Sequence, residues 1–404
     1  MKTANWKRVP FNKAVWVNPP TALVRGETYP FVDMQALNPS SREVGPSEYR
    51  TFTGGGSRFF TGDTLMARIT PCLENGKIAQ FRGPTPEAVA HGSTEFIVIR
   101  GRDGMTDNNF AYYLTRSEIV RSFAIAQMTG TSGRQRVPTE ALSHLQVALP
   151  PLDDQRMISR ILGSLDDKIE LNRRMNETLE GIAQALFKNW IADVIESKLP
   201  EGWRKGKLEE LVSINKEIVT PSNFPKETFD YYSIPAFDEG RLPKPEMGDQ
   251  IQSNKFVVPL NAVLLSKLNP RIPRVWLPSV YAKRRSICST EFLVALPKPH
   301  ISREYLFGLF TSRAFFEVFA TLVTGTSGSH QRVKPDYLVA MDVIIPPQNL
   351  MDRFTKMTHP LYEKIVQNLE ESRILAAIRD TLLPKLISDE LRIPNAKRII
   401  GEHP

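Results

Sequence analysis

Short apolar runs bounded by turn-forming residues recur along much of the chain. Runs of this kind, rich in Val, Ile, Leu and Phe, predict β-strands. They are Leu65–Ile69, Phe96–Ile99 and Leu145–Leu149 in the first half and Val263–Leu268, Phe292–Leu296 and Val343–Ile345 in the second. Each half also has one aromatic-rich amphipathic stretch, at Phe110–Gln127 and at Tyr305–Leu322, whose spacing predicts a helix.

After Pro150 and Pro151 the apolar positions change to a helical spacing. They alternate steps of four and three residues, which predicts a coiled-coil seam of about five heptads. The seam positions are Ile158, Leu162, Leu165, Ile169, Asn172, Asn176, Leu179, Ala183, Leu186 and Trp190. Gly163 and Ser164 are expected to interrupt or kink this helix near its start.

A second, weaker seam follows near the end of the chain. Its positions are Phe354, Thr358, Leu361, Ile365, Asn368, Ser372, Leu375, Arg379, Leu382 and Leu386. Pro360 and Pro384 interrupt the pattern, and Arg379 places a charge on the seam. Because a proline costs little at the first position of a helix, we expect Pro360 to open the second long helix. How far this helix extends beyond Pro384 is left open.

Asn172 and Asn368 occupy equivalent positions in the two seams. A polar seam residue lowers stability but specifies register and partner, so the helices are predicted to pair, antiparallel if the chain closes on itself. The alternative is that each helix packs only on its own globular module. The residues expected to set pairing and register are Leu165, Ile169, Asn172, Asn176, Leu179, Leu361, Ile365, Asn368 and Leu375.

The long helix also has a length that suits DNA. At about 1.5 Å per residue, some 28–30 residues span roughly 42–45 Å. One turn of B-DNA is slightly shorter, at about 34–36 Å. The helix is therefore interpreted as a ruler, that is, a rigid spacer whose length sets a distance along the DNA.

The chain repeats itself at a constant offset of 196 residues, which indicates one long unit copied in tandem. The matching segments are Ser93–Phe96 with Ser289–Phe292, Gln135–Val137 with Gln331–Val333, and Pro150 with Pro346. Thr129–Gly133 also returns, as Thr324–Gly328. Two similar surfaces suit a ligand that is itself extended and repetitive, such as a DNA duplex.

The repeat divides the 404 residues into modules and helices. The predicted boundaries are 1–150 and 198–346 for two target-binding modules, 151–197 and 347–396 for the helices, and 397–404 for a tail. The chain has a net charge of +8, of which each module carries +5, whereas the two helical segments carry −3 and, with the tail, +1. Positive charge confined to the modules favours a polyanionic partner over a mere solubility charge.

Composition narrows the class of protein. The hydrophobic fraction of 41% and the charged fraction of 24% are ordinary for a globular protein. No run reaches the ~20 apolar residues needed to span a bilayer, and no signal-peptide core follows the basic N-terminus. A cytoplasmic location is therefore expected. Cys72 and Cys288 are not repeat partners, and two cysteines cannot build a zinc site, so we expect them to be reduced and structural.

The sequence contains no convincing catalytic motif. The six histidines lack metal-ligand spacing, and there is no phosphate-binding G-x-x-x-x-G-K-[ST] loop. Asn18-Pro19-Pro20-Thr21 resembles an amino-methyltransferase motif, but a threonine replaces the aromatic residue. Asp166-Asp167-Lys168 resembles the end of a nuclease motif but falls on the heptad helix, where it is expected to form a solvated face. We therefore expect no catalytic residue, no metal and no cofactor.

A glycine-rich loop in each copy is the best binding candidate. Its glycines allow close approach to phosphate, its hydroxyls can bond phosphate oxygens, and Arg or Gln can read guanine or adenine edges. The candidates are Thr131, Ser132, Arg134, Gln135 and Arg136 in copy one and Thr326, Ser327, His330, Gln331, Arg332 and Lys334 in copy two. Shared residues are interpreted as backbone contacts or structural braces, and the Arg134/His330 difference as base readout. The alternative is a tight turn that holds the long helix against a strand.

Further basic residues follow the predicted strands. Arg68 and Lys267 recur at the same place, with Lys77 and Arg271 nearby. Two basic loops have no counterpart in the other copy. They contain Arg58, within Gly54–Arg58, and Lys283, Arg284 and Arg285. Unshared basic loops on a shared scaffold are where the two modules are expected to differ in target.

Taken together, these segments resemble the specificity (S) subunits of type I restriction-modification systems. The resemblance rests on Gly62–Pro71, Thr129–Val137 and Pro150–Trp190, above all Leu165–Arg174, and covers nearly the whole chain. It implies a mixed α/β (α+β) fold with two tandem target-recognition domains, separated and joined by an antiparallel pair of long coiled-coil helices. Each domain would read one half of a bipartite, asymmetric DNA site.

The resemblance also implies partners. Two adenine-specific DNA methyltransferase (M) subunits would dock largely on the helices, and motor-nuclease (R) subunits would then join; catalysis, methyl donor and ATP would belong to them. Two other readings stay open. The chain could be a stand-alone methyltransferase or nuclease, or a coiled-coil scaffold for proteins with incidental DNA binding.

Overall fold

The chain forms two compact units. Unit 1 comprises residues 1–170 and 372–404, and unit 2 comprises residues 171–371. The computed structural model describes residues 6–131, 133–193, 198–279, 284–324, 331–391, 393 and 396. Both long helices contribute to both units.

Unit 1 combines short strands with three short helices and the start of a long one. Its strands are β1 (Lys7–Pro10), β2 (Val15–Val17), β3 (Thr28–Val32), β4 (Glu43–Val44), β5 (Glu48–Thr51), β6 (Ser57–Phe60), β7 (Thr64–Ala67), β8 (Ile78–Phe81), β9 (Val89–Gly92), β10 (Phe96–Gly101) and β11 (Gln146–Leu149). Its helices are α1 (Phe11–Ala14), α2 (Asn108–Arg116), α3 (Glu118–Ala126) and the first part of α4 (Leu152–Phe187).

The strands of unit 1 form three sheets. Their strand orders are β2-β10-β7-β8-β4, β5-β3-β9-β6 and the pair β1-β11. Most neighbours are antiparallel, but β3 runs parallel to β9 and β4 runs parallel to β8. The two larger sheets pack on each other, and the helices cover the remaining face of the five-stranded one.

Strand β10 shows why these runs are so apolar. Successive side chains of a strand point to opposite faces. Phe96 and Val98 enter the core between the sheets, whereas Ile97 and Ile99 enter the core beneath the helices. Burial on both faces therefore produces a continuous apolar run instead of an alternating one.

Unit 2 repeats this architecture. Its strands are β12 (Arg204–Lys207), β13 (Val212–Asn215), β14 (Ile218–Val219), β15 (Thr228–Tyr232), β16 (Lys244–Met247), β17 (Lys255–Val257), β18 (Val263–Ser266), β19 (Val275–Trp276), β20 (Ser286–Cys288), β21 (Phe292–Pro297), β22 (Val323–Thr324), β23 (Arg332–Val333) and β24 (Asp342–Ile345). Its helices are α5 (Ile234–Gly240), α6 (Arg303–Thr311), α7 (Arg313–Phe319), α8 (Pro335–Val339) and the first part of α9 (Gln348–Ile387).

The sheets of unit 2 correspond to those of unit 1. Strand orders β13-β21-β18-β19, β14-β17-β20-β15-β16 and β12-β24 match the three sheets above, and β22 pairs with β23. The parallel pair β3-β9 returns as β15-β20. The tandem repeat predicted from the sequence is thus a repeat of topology, and the predicted strands are confirmed with ends shifted by a few residues.

Each predicted aromatic helix is in fact two helices. A serine stands at each break, Ser117 between α2 and α3 and Ser312 between α6 and α7, with extended backbone at both. The Ser312 hydroxyl accepts a hydrogen bond from the Phe315 N–H and so caps α7. The apolar periodicity continues across the break, which is why the sequence pattern did not show it.

The long helix α4 is not interrupted at Gly163 and Ser164. A Cβ at position 163 would lie 2.9 Å from Nη1 of Arg42, so the glycine makes room for this side chain. Beyond Phe187 the helix continues into a π-helical turn, Lys188–Ala192. The glycine therefore serves packing between the helix and the sheet region of unit 1, and the predicted interruption is wrong.

Helix α9 begins at Gln348 and contains both Pro360 and Pro384, so the prediction that Pro360 opens this helix is wrong. An interior proline costs ~3 kcal/mol in a helix because it lacks an N–H. Pro360 and Lys356, whose carbonyl loses its donor, are both exposed, so water can satisfy that carbonyl. Burial of Phe354 and Thr358 holds the helix together through this region.

Candidate nucleic-acid interface

Three separated segments of unit 1 meet at the end of strand β7. The Arg68 N–H donates to the Glu95 carbonyl at 2.9 Å, and the Val137 N–H donates to the Arg68 carbonyl at 2.8 Å. The Thr70 N–H donates to the Gln135 carbonyl at 3.0 Å, and the Gln135 N–H donates to Thr70 Oγ1 at 2.8 Å. We call this meeting of segments 68–70, 93–96 and 129–137 the motif junction.

An ion pair closes the motif junction. The Arg136 guanidinium donates to both carboxylate oxygens of Glu95 at 2.7–3.0 Å, and this contact raises the pKa of Arg136. Arg136 also pairs through its backbone with Thr129. Gly130 and Gly133 have φ values of 126° and 79°, in the region that favours glycine. The glycines therefore allow the segment to turn back and bring Arg136 to Glu95.

Unit 2 builds the same motif junction. The Lys267 N–H donates to the Glu291 carbonyl at 2.9 Å, and the Val333 N–H donates to the Lys267 carbonyl at 3.1 Å. The Arg332 guanidinium binds the Glu291 carboxylate at 2.8 and 3.0 Å, which lowers the pKa of Glu291. The Asn269 N–H donates to the carbonyl of Gln331 at 3.0 Å. The repeated sequence segments are thus the parts of one structural element.

The sequence reasoning missed Glu95 and Glu291. Both belong to repeated segments. Glu95 and Glu291 are 196 residues apart, and so are their arginine partners, Arg136 and Arg332. That shared offset was the available signal, because a salt bridge preserved in both copies requires both partners. Two roles were considered for Arg136 and Arg332, a structural brace and a contact to the DNA backbone. Their ion pairs with Glu95 and Glu291 are structural braces. A contact to DNA stays a prediction.

Other residues of the unit 1 loop remain available to a ligand. Arg134 is exposed, and its side chain has no bonding partner among the described residues. Thr131 is exposed as well, and its carbonyl accepts from the Arg134 N–H at 3.0 Å. Gln135 and Arg68 are half-buried, and within the described chain the buried Nε of Arg68 has no partner. Ser132 lies outside the described residues.

In unit 2 much of the equivalent loop lies outside the described residues. This applies to Thr326, Ser327 and His330, and to Lys283 of the neighbouring basic loop. The described candidates nearest the motif junction are Lys267 and Gln331, which are half-buried. Lys334 is exposed, with its Nζ 5.6 Å from the centre of the Tyr337 ring. Arg271 is exposed and has no bonding partner in the part of the chain that the structure describes.

Two of the unshared arginines have intramolecular partners. Arg284 pairs with Asp230 at 3.2 Å. Arg285 pairs with Glu227 at 3.3 Å, and its guanidinium stacks on Phe224 and Phe229, 4.4 and 4.9 Å from the ring centres.

The side chains of Lys77 and Arg58 in unit 1 have different surroundings. The Lys77 ammonium donates to the Met34 carbonyl at 2.8 Å, so it braces the fold. Arg58 stacks on Phe52 at 4.8 Å and lines a cleft of about 720 Å³ together with residues 18–22. In that segment the Asn18 side chain accepts from the Val98 N–H at 2.8 Å and fixes the turn to β10.

Every predicted position of the helix seam is buried or half-buried. In unit 2 the Asn172 amide donates to the Glu371 carboxylate at 2.8 Å and to the Asn368 carbonyl at 3.4 Å. The Asn368 amide in turn donates to Asn176 Oδ1 at 2.8 Å, and Asn176 contacts the Ile365 carbonyl. Partners later in α4 are earlier in α9, so the helices run antiparallel.

The apolar seam residues divide between the units. Leu165 of α4 enters the helix-covered core of unit 1, where half-buried Leu375 of α9 also packs. Leu179, Leu361 and Ile365 form a separate cluster within unit 2. Ile169 is half-buried. The alternative that each helix packs only on its own module is therefore wrong, because each helix contacts the other helix and also contributes to both globular cores.

In unit 1 the seam contains a buried ion pair that the sequence did not predict. Arg379 Nη1 lies 2.7 Å from Asp166 Oδ1, and the Tyr113 hydroxyl donates to Asp166 Oδ2 at 2.6 Å. The assignment of residues 166–168 to a solvated face is wrong for Asp166, which is 4% exposed. Asp167 does reach solvent, where it pairs with Arg42 at 2.8 Å.

Burial sets the protonation of this cluster. Burial raises the pKa of Tyr113 well above its usual value, and the negative charge of Asp166 raises it further. Burial alone lowers the pKa of Arg379, but the carboxylates of Asp166 and Asp380 outweigh it and raise that pKa. The arginine therefore stays charged and the tyrosine neutral, which maintains both bonds to Asp166.

The described residues contain no cluster of three His, Cys, Asp or Glu side chains arranged to hold a metal ion. Among the same residues, no helix combines the length and apolar character needed to cross a bilayer.

Known proteins are similar to this chain in sequence and in fold. The family described as type I restriction modification DNA specificity domain matches residues 69–181. The MjaIX specificity subunit of Methanocaldococcus jannaschii is 24% identical over 319 residues, covering 72% of this chain and 71% of the relative. The HindI specificity subunit of Haemophilus influenzae is 24% identical, covering 82% of this chain and 86% of the relative.

One solved structure supports the fold as well. The type I restriction-modification S subunit from M. genitalium aligns over 96% of this chain and 97% of its own, with a TM-score of 0.53 and 15% identity. That likeness extends to a mixed helix-and-sheet fold with long helices. The chain is thus similar in sequence to type I restriction-modification specificity subunits, and its fold resembles that of one such subunit.

Proposed function

We propose that this chain is the non-catalytic, sequence-specific DNA-binding subunit of a type I restriction-modification enzyme. Each target-recognition domain reads one half of a bipartite, asymmetric DNA site. The paired helices set the spacer between the half-sites and dock the methyltransferase subunits. The proposed partners are double-stranded DNA, two adenine-specific methyltransferase subunits and motor-nuclease subunits.

The observation that carries the proposal is the duplicated motif junction. Both units build it with the same backbone bonds and the same Arg–Glu brace, and both place basic residues around it. Residues that differ between the copies, such as Arg134, stand on this shared frame. A shared frame with different side chains suits two readers of different sequences, because phosphate contacts position a protein and side chains specify the bases.

The charge distribution agrees with DNA as the ligand. Each module carries a net charge of +5, whereas residues 151–197 carry −3. In the described chain, Arg134 and Arg271 are exposed cations without an intramolecular partner. Such cations can neutralise phosphates and release counterions. Arg136, Arg332 and Lys77 are instead occupied by intramolecular contacts and act through the fold.

The long helices offer surface for protein partners. Leu171 and Ile182 on α4 and Met357 and Ile374 on α9 are large apolar side chains that are about half exposed. A contiguous exposed apolar patch marks an interaction surface, and these four side chains are candidate members of such a patch. This supports docking of the methyltransferase subunits on the helices.

The direct test is a selection experiment. The chain, assembled with its methyltransferase subunits, is incubated with a random DNA library, and the bound or methylated sequences are read. We expect two unlike half-sites separated by a fixed gap. A single contiguous motif would contradict the proposal.

The two alternatives are tested separately. The pure chain is incubated with DNA and labelled methyl donor, or with Mg²⁺, and no turnover is expected. Methyl transfer or cleavage by the chain alone would favour the enzyme hypothesis. Failure of the full-length chain to bind DNA at physiological salt would favour the protein-only scaffold.

A further inference from the structure

The helix seam is polar at one level of unit 1 and apolar at the matching level of unit 2. In unit 1, Asp166 of α4 meets Arg379 of α9, and their side chains are 3% and 4% exposed. In unit 2, Ala183 of α4 and Tyr362 of α9 are buried in one cluster. The 196-residue repeat relates Asp166 to Tyr362 and Arg379 to Ala183. The two copies therefore differ at the same place in the seam.

This difference matters because α4 and α9 are repeat copies of each other. Helix α4 of one chain could in principle pair with α4 of a second chain in the same antiparallel register. Asp166 would then face Ala183 of the second chain and lose its counter-ion. Pairing of two α9 helices would likewise place Arg379 against Tyr362, leaving it only Asp380 of its own helix, whose side chain is largely exposed. A buried charge without its partner is strongly disfavoured.

The other seam residues do not discriminate in this way. Asn172 and Asn368 are equivalent by the repeat, and their partners Glu371 and Asn176 correspond to Met175 and Ser372. Pairing of like helices would therefore exchange these hydrogen-bond partners, but it would leave no buried charge unpaired at this level. Leu382 and Leu386 of α9, which enter the core of unit 1, correspond to Leu186 and Trp190 of α4, which are also apolar. The Asp166–Arg379 pair is therefore the seam contact whose loss would leave buried charges unpaired.

We propose that Asp166 and Arg379 make helix pairing selective for unlike helices, so that α4 accepts α9 and rejects α4 of a second copy. Tyr113 strengthens the selection, because its hydroxyl holds the Asp166 carboxylate in place at 2.6 Å. The consequence for DNA rests on the proposed function. A pairing of like helices would join two identical target-recognition domains, so the ion pair preserves the asymmetry of the site that is read.

The test uses two full-length copies that carry different affinity tags and are co-expressed. Sequential capture on both tags, followed by native mass spectrometry, measures the fraction of assemblies that contain both copies. The variants are Asp166→Leu/Arg379→Met, which makes the seam apolar, and Asp166→Asn, which removes one charge at nearly constant size. The matched control is Asp153→Leu/Arg156→Met, which removes an exposed pair on the same helix.

For Asp166→Leu/Arg379→Met we expect the mixed fraction to rise at least ~10-fold over wild type, because the seam no longer penalises like pairing. Asp166→Asn should raise it less, and the control should leave it unchanged. A folded double variant with a wild-type mixed fraction would overturn the proposal, as would an equal rise in the control. If the double variant lacks a cooperative thermal transition, the test rests on Asp166→Asn. A mixed fraction equal to that of wild type in this variant would then overturn the proposal. The assay measures helix pairing without DNA. A negative result would therefore contradict selective pairing and leave the proposed DNA-binding function untouched.

Discussion

Arg134 and Arg136 lie two residues apart in one loop, yet their surroundings assign them different roles. Arg136 is held by both oxygens of Glu95, and Arg134 reaches solvent. A residue already paired within the protein shapes the surface, whereas an unpaired cation can bind a ligand directly.

The first prediction compares these two arginines. Arg136→Ala and Arg332→Ala should release the motif junction in their own unit and weaken binding to all DNA sequences. Arg134→Ala should relax sequence preference in one half-site and leave thermal stability unchanged. Selection from a random DNA library, with thermal unfolding of each variant, measures both effects. An equal loss on all sequences for Arg134→Ala would refute its role in readout.

The second prediction compares two buried tyrosines. Tyr113→Phe removes a hydrogen bond to the buried carboxylate of Asp166 and should cost about 1.5–3 kcal/mol. The Tyr305 hydroxyl is buried without a partner among the described residues. Tyr305→Phe should therefore stay within ~1 kcal/mol of wild type or be stabilising. Urea unfolding measures both free energies, and a larger loss for Tyr305→Phe would contradict the assignment.

The third prediction concerns alkaline pH. Burial raises the pKa of Tyr113 and of Tyr305 above the value of a free tyrosine. Tyrosines of the unfolded chain ionise near pH ~10, where these two remain neutral in the folded chain. The unfolded state then binds fewer protons, so stability is lost as pH rises above about 10. Tyr305→Phe should make this loss less steep in urea titrations between pH 9 and 11; an unchanged slope would count against it.

At the scale of elements, the long helices combine two functions. Their apolar seam residues pack in the core of each unit, and we propose that their amides and ion pair determine which partner and register are allowed. Pro360 and Pro384 are accommodated because both lie on the exposed side, away from the seam contacts that stabilise α9.

The fourth prediction tests the helices as a ruler. Deleting one matched heptad from the middle of α4 and of α9 removes about 10.5 Å from each helix at 1.5 Å per residue. The tolerated spacer should shorten by about three base pairs at ~3.4 Å each, with the half-sites unchanged. Methylation-site sequencing measures the spacer. Deleting two exposed residues from a surface loop is the control, and an unaltered spacer in the heptad variant would defeat the ruler hypothesis.

At the scale of the whole molecule, the two modules carry most of the excess positive charge. Counterion release from phosphates should then dominate the affinity for DNA, because each neutralised phosphate steepens the salt dependence. The acidic balance of residues 151–197 indicates that the first helix contributes little to that attraction.

The fifth prediction concerns that salt dependence. If about four cations neutralise phosphates, affinity should fall roughly a hundredfold between 50 and 200 mM salt. Arg271→Ala, which removes one exposed cation, should reduce the slope by about one unit. Fluorescence anisotropy over a salt series measures this. Binding that is insensitive to salt would exclude phosphate contacts as the main source of affinity.

Much of this architecture could be predicted from the chain alone. The repeat follows from the constant offset of 196 residues, and the strands follow from continuous apolar runs bounded by turn-forming residues. The seam positions follow from steps of three and four residues, which burial of one helix face imposes. The breaks at Ser117 and Ser312 did not appear, because one serine between two short helices leaves the apolar pattern intact.

What the sequence by itself determined was therefore the periodic part of the protein: two copies of one topology and two helices with a shared seam. Only the tertiary structure decided that Glu95 meets Arg136 and that Asp166 is buried against Arg379 and Tyr113. These contacts join residues that are 41 to 213 positions apart. Periodicity reports which face of an element is buried, and it contains no information about which distant side chain arrives at that face.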